Sequence, residues 1–356
     1  MFKKKALLCL VLVAALALTA CGGTGGQTPN TPGGQQAESD PDQTFHWRFA
    51  HEEYVGSMQD VYVRELTELI TEMSGGRITF EIFQVGQIGD ATQQAELLQV
   101  GGIEFAMVSP GNTGTIVPEN QLFSLHFLFD DDLERTTRLA WESQALNTML
   151  SDLYLARNIK VLSYWTQGPM DWTANVPLRS PADFVGLRMR TMPSPMIVAA
   201  YAAYGANPTP MPYLEVYSGL QLGMIDGQEN PISAIEESRF YEVQNYLIES
   251  RSNLYFTTTS TNPDFFNALP ADIQQIILDA VEIMHFRSLE IVSELNGASR
   301  ERIEAAGNIT ILQLTPEERA AFVPYAMTAW DVYRDMVGQA GSDILDALIE
   351  EIAAMA

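Results

Sequence analysis

The chain has 356 residues, 46% of them apolar and 10% aromatic, and a net charge of −25. That is enough chain and apolar content for two domains of ordinary size with a sizeable core. The negative charge argues against nucleic acid or an acidic surface as the main partner. The only cysteines are Cys9 and Cys21, so a domain that starts beyond them has no disulfide and no thiol chemistry.

Met1–Lys5 is a basic start, followed by a 15-residue apolar run, Ala6–Ala20. This is shorter than the roughly 20 residues a membrane-spanning helix needs and reads as a signal segment. The run closes on Leu18-Thr19-Ala20-Cys21, which resembles the lipobox of bacterial lipoproteins. That resemblance implies removal of residues 1–20 and lipidation at Cys21. It also implies a lipid anchor in the periplasm or on the outer face of the cytoplasmic membrane. Residues 22–44 are rich in Gly, Pro and Gln and nearly free of apolar side chains, a flexible tether by composition.

From Phe45 the pattern alternates between strand and helix. "HWRFA" predicts a strand, and the apolar stripe Met58, Val61, Tyr62, Leu66, Leu69, Ile70 predicts a helix closed by Gly75 and Gly76. "RITFEIF" follows as a strand, then a helix capped by Asp90, then the strand "IEFAMVS". A helix from about Asp132 to Leu150 leads to the strand "NIKVLSYW". Ser180, Pro181 and Asp183 form a helix-start signature ahead of the strand "LRMRT". "PYLEVYSGLQLG" reads as a helix before the short strand "MID", and "LYFTTTST" as a further strand. Residues 270–307 then give one uninterrupted helical pattern, long enough to run along two domains. Thr315, Pro316 and Glu318 start the last helices with a capping box. Alternating β and α units predict parallel-rich sheets, whose ligands bind at the carboxyl ends of strands.

The chemistry of an enzyme is absent. The histidines His46, His51, His126 and His285 are scattered, and "HEEYV" at His51 lacks the second histidine of a zinc-binding helix. There is no phosphate loop, no dinucleotide fingerprint and no nucleophile elbow. No enzyme, cofactor or metal is expected. One polar stretch stands out: Asp226, Gln228, Glu229 and Asn230 follow "MI" and precede Pro231. At a strand end it would face a cleft; on pattern alone it also fits an ordinary polar turn punctuated by Gly227 and Pro231.

The segment "GLRMRT", then "GANPTPMPYLEVYSGLQLGMIDGQENP", then "FYEVQNYL" resembles the solute receptors of TRAP (tripartite ATP-independent periplasmic) transporters. "GGRITFEIFQVGQIGD", "AMVSPG" and "PENQLFSLHFLF" extend the resemblance over about Phe45 to Gly341. It implies an α/β two-domain clamshell of the periplasmic-binding-protein type (class II), with a strand hinge and a long helix spanning both domains. Domain 1 would hold 45–167 plus about 254–293, and domain 2 would hold 168–253 plus about 294–356. It implies capture of an organic acid and delivery to a membrane permease, with no nucleic acid involved.

By resemblance, Arg190 clamps the ligand carboxylate, Asn230 hydrogen-bonds the ligand and Tyr213 packs against it. A guanidinium fork suits a carboxylate bidentately. Asp226, Gln228 and Glu229 are expected to hold the turn. His51, Ser109, Asn112 and Asp90 are expected from the first domain. Family members that carry a second arginine have it where this chain has Met170. A second buried carboxylate would then lack a partner. Met170 and Trp172, with Trp165, Tyr213 and Met192, are therefore expected to line an apolar pocket for a monocarboxylate with an apolar or aromatic body. The alternatives are a dicarboxylate or sugar acid, or a sensory receptor of the same fold.

Overall fold

The structure, a computed structural model, describes residues 40–355. Cys21 and most of the expected tether lie outside them. Ten strands follow in chain order: β1 (Phe45–Ala50), β2 (Ile78–Phe83), β3 (Phe105–Val108), β4 (Lys160–Ala174), β5 (Arg188–Thr191), β6 (Asn207–Pro210), β7 (Gly227–Pro231), β8 (Tyr246–Glu249), β9 (Leu254–Thr261) and β10 (Thr310–Gln313). β2, β1 and β3 pair parallel, joined by crossover helices Met58–Met73 and Ala91–Gln99. β9 lies antiparallel to β3 and to the first part of β4. The second part of β4 pairs antiparallel with β7 and β8. β5 and β6 extend that group beyond β7, and β10 extends it beyond β8, all parallel. The result is a mixed α/β clamshell of two lobes.

β4 passes from one lobe to the other. Its register against β9 slips between Thr166 and Pro169, and Gly168 at the slip has a φ of +97°. Only glycine adopts that conformation without strain. Asn296 donates its Nδ2 to the Gln167 carbonyl at 2.9 Å, pinning the crossing point to the helix Ala271–Ala306. At about 1.5 Å per residue this helix is about 54 Å long, and it stops at Gly307 in the left-handed conformation. Near its start, Ile273, Ile277 and Val281 pack with Trp47, Tyr62 and Trp165; near its end, Ile303 packs with Leu220, Ile225 and Phe240. It thus buries one end in each lobe, as the unbroken pattern implied.

Three local readings change. β4 runs past the expected "NIKVLSYW", through Gly168 to Ala174, because the bulge absorbs Gly168 and Pro169. The helix from about Asp132 stops at Glu142, where Ser143 turns extended, and resumes at Ala145. "MID" is not the strand: the strand is Gly227–Pro231 itself, all five residues buried. A Cβ on Gly227 would lie 2.7 Å from the Thr173 carbonyl, so the glycine admits the close approach of β4. Among the described residues no helix is long and apolar enough to cross a membrane.

Candidate functional site

A cavity of about 350 Å³ is lined by segments that follow β1, β3, β5 and β6, and by β7 and β9. Arg190, on β5, is 2% exposed. Its Nε and Nη2 both donate to the Met211 carbonyl, at 3.0 and 2.8 Å. The Met211 N–H donates to the Thr191 carbonyl at 3.1 Å, which ties that loop to β5. The remaining donors of the fork are left for the cavity. Burial lowers the Arg190 pKa to about 10, opposed by Tyr213, Glu229 and Tyr255, so the group stays charged at neutral pH. Among the described residues it forms no ion pair.

On β7, alternate side chains share a face. Asn230 reaches the cavity and donates to the Gln228 carboxamide oxygen, while Gln228 donates to the Thr173 hydroxyl at 3.1 Å. Glu229 turns to the other face and accepts from the Tyr201 hydroxyl at 2.5 Å. Asp226 grips Arg188 through Nε at 2.9 Å and Nη2 at 2.5 Å. The polar stretch is therefore a buried strand whose neighbours hold Asn230 in place. Tyr213 forms a wall, its hydroxyl 2.6 Å from Ser238 Oγ and its ring 5.7 Å from that of Tyr54.

The first lobe contributes two carboxylates that the sequence reading passed over. Glu52 and Glu53 follow β1, line the cavity and are 3% and 6% exposed. Glu52 accepts from the Ser109 N–H at 3.0 Å and from the Tyr255 hydroxyl at 3.4 Å. Glu53 accepts from Gln167 Nε2 at 2.6 Å and from the Gln59 N–H at 3.2 Å. Burial raises the Glu52 carboxyl to about 7 and raises Glu53 as well. Neither carboxylate forms an ion pair among the described residues. The signal lies in "HEEYV", whose two acidic residues closely follow the first strand.

Five of the nine expected residues line this cavity: Arg190, Asn230, Tyr213, Asn112 and Asp90. Asp90 spends its carboxylate on capping the helix Ala91–Gln99, accepting from the Gln93 N–H at 2.9 Å. The other four need correction. Ser109 stands behind the wall, where its N–H holds Glu52 and its hydroxyl accepts from Asn112 Nδ2 at 2.9 Å. His51 is fully buried, its Nε2 3.3 Å from Asp60, and burial lowers its pKa to about 4. Trp172 packs against Phe184 and Phe322, at 4.9 and 5.2 Å between ring centroids. Met170 borders a smaller chamber instead. Trp165 stacks on Tyr62 at 4.5 Å and is also core. Tyr255 and Met192 supply the large apolar faces with Tyr213.

Burial also raises Asp171 and Glu229 to about 7 and Glu237 to about 9. A carboxyl whose folded pKa lies above its unfolded value loses its stabilising proton as the pH rises through the folded value. The buried histidines, neutral in the fold, oppose this by less, because an unfolded imidazole is already about half deprotonated at pH 6.5. The unliganded protein is therefore expected to melt at a lower temperature at pH 8 than at pH 6.5, measured by calorimetry. A rise over that interval would contradict the buried carboxyls.

A model of the family described as bacterial extracellular solute-binding protein, family 7, matches residues 49–335. The chain is 34% identical over 311 residues to the ectoine-binding periplasmic protein TeaA of Halomonas elongata, covering 87% of this chain and 91% of that one. It is 32% identical over 315 residues to the ectoine/5-hydroxyectoine-binding periplasmic protein UehA of Ruegeria pomeroyi, covering 88% and 92%. Among solved structures, the periplasmic ectoine-binding protein of the TeaABC TRAP transporter of Halomonas elongata superimposes with a TM-score of 0.84 at 34% identity, over 87% of this chain and 99% of that chain.

Proposed function

The chain belongs to bacterial extracellular solute-binding protein family 7, the receptors of TRAP transporters, and we propose that its solute is a carboxylate whose body carries a positive charge. It is a binding protein, not an enzyme, and it delivers its solute to a membrane permease. The lipobox-like Leu18–Cys21 supports a receptor tethered at Cys21.

The observation behind the ligand is the charge pattern of one cavity. A buried guanidinium without an anion and two buried carboxylates without a cation line the same space. Burying an unpaired charge is costly, and an ion of opposite sign removes the cost. A plain monocarboxylate would satisfy Arg190 and leave Glu52 and Glu53 unpaired. A dicarboxylate would set a second carboxylate against Glu52 and Glu53, which offer it no cation. A ligand with a carboxylate at one end and a delocalised cation at the other satisfies both ends. The rings of Tyr213 and Tyr255 offer faces for the cation. Ectoine, named for both curated relatives, has this chemistry: a carboxylate on a cyclic amidinium. This reading keeps one carboxylate and puts a cationic ring in place of the apolar or aromatic body expected from sequence.

A thermal-shift panel of ectoine, proline, benzoate, succinate and glucuronate tests this. A ligand at 100 times its dissociation constant adds about 2.7 kcal/mol, a shift of a few degrees for a chain of this size. Ectoine or proline is expected to give the largest shift. A larger shift with succinate, glucuronate or benzoate would overturn the zwitterion.

A further inference from the structure

Beyond Met192 and Tyr255, which line the main cavity, lies a second chamber of about 20 Å³ that the same two side chains also line. That volume admits one water-sized group. Two acceptors on its wall have nothing to accept from. Glu229 Oε1 and Asn253 Oδ1 are buried without a hydrogen-bond partner, in residues 2% and 7% exposed. Their sister atoms are committed: Glu229 Oε2 to the Tyr201 hydroxyl at 2.5 Å, Asn253 Nδ2 to the Phe123 carbonyl at 3.2 Å. The rest of the wall is largely apolar, including Met170, Ile197 and Leu254. A buried acceptor left without a donor costs free energy that a donor recovers.

The chamber's place relative to the ligand follows from Arg190. Met192, two residues after Arg190, lines both spaces, and Glu229 on the chamber wall directly precedes Asn230 of the main cavity, so the chamber lies toward the carboxylate end. The partition is a methionine, with three rotatable bonds. A Cβ on Gly111 would lie 2.6 Å from Met192 Cε, so the glycine leaves the methyl its present place.

The geometry points to an inner subsite that takes a hydroxyl, or an amine N–H, borne by the ligand on the carbon next to the one carrying its carboxylate. The subsite rests on Arg190 holding that carboxylate, as proposed above, but not on the cation. Glu229 and Asn253 accept the donor, and Met192 moves aside to admit it. The receptor thereby prefers hydroxylated solutes to their parent compounds.

Titration calorimetry of the protein with two pairs tests it: ectoine against 5-hydroxyectoine, and butyrate against 3-hydroxybutyrate. The hydroxylated member is expected to bind about tenfold tighter, the worth of one buried hydrogen bond. Asn253→Leu removes one acceptor and is expected to reduce the preference to about threefold or less. Ile197→Phe, which fills the chamber from its apolar wall, is expected to do the same and serves if the first variant does not fold. Equal affinities within a pair, or a preference that survives the variants, would overturn the subsite. If only the butyrate pair binds and follows the expectation, the cationic body fails and the subsite stands. If no member binds, both fail.

Discussion

Arg190→Ala is expected to weaken ligand binding by roughly 30- to 4,000-fold while the unliganded protein still folds. Truncating one partner of a buried, hydrogen-bonded charge pair costs about 2–5 kcal/mol, and each 1.4 kcal/mol is about tenfold. The fold survives because Arg190 forms no ion pair among the described residues; its bonds go to the Met211 carbonyl, and Glu229, which feels its charge, keeps the Tyr201 hydroxyl as donor. Removing the guanidinium removes a desolvation cost that already lowers its pKa to about 10. The Met211 carbonyl loses both donors, which offsets that gain; the melting temperature without ligand is therefore expected to stay within a few degrees of the wild type, and the ligand-induced shift to vanish. Arg190→Lys is expected to fall between, since an ammonium keeps the charge and loses the planar fork. Calorimetric titration reads all three. Binding within about threefold of wild type in Arg190→Ala would remove the guanidinium from the site.

Glu52→Gln and Glu53→Gln are expected to act on the other end. Each should weaken a zwitterion by about tenfold or more, the cost of a charge-assisted bond, and should improve the binding of a plain monocarboxylate such as benzoate. The two ligand classes should also part company with pH. Without ligand the Glu52 carboxyl sits at about 7 because of burial. A cation binds the ionised form, so its arrival must expel a proton below that pH. Zwitterion affinity is expected to fall as the pH drops below 7, approaching tenfold per unit. A plain carboxylate gains nothing from ionising Glu52, so its affinity should hold or rise over the same range. Glu52→Gln should flatten the zwitterion profile. Parallel profiles for the two classes would contradict a cation at Glu52.

Most of the architecture was legible because its signals are local. Asp90, Ser180 and Thr315 announce their helices through side chains that satisfy their own N-termini. The uninterrupted apolar pattern from 271 to 306 needs both lobes to bury it. The second-lobe side of the cavity was legible through one motif, which set Arg190, Tyr213 and Asn230 together. The first-lobe side was not. Whether Glu52 or His51 faces the cavity depends on how the chain turns after β1, and that turn is fixed by Asp60, Gln59 and Ser109 from elsewhere. Trp172 was misplaced for a related reason. β4 runs on past Gly168, so the faces of its later residues follow the pairing with β7 and β8, which sends the indole into the core with Phe184 and Phe322.

A crystal structure of the protein with the tightest-binding member of the acid panel would show the ligand's orientation outright. The expected result is a carboxylate on the Arg190 guanidinium, with a cationic nitrogen on Glu52 or Glu53. A bound ligand whose carboxylate avoids Arg190, or which presents an uncharged or anionic end to the two glutamates, would contradict a receptor built for a zwitterion.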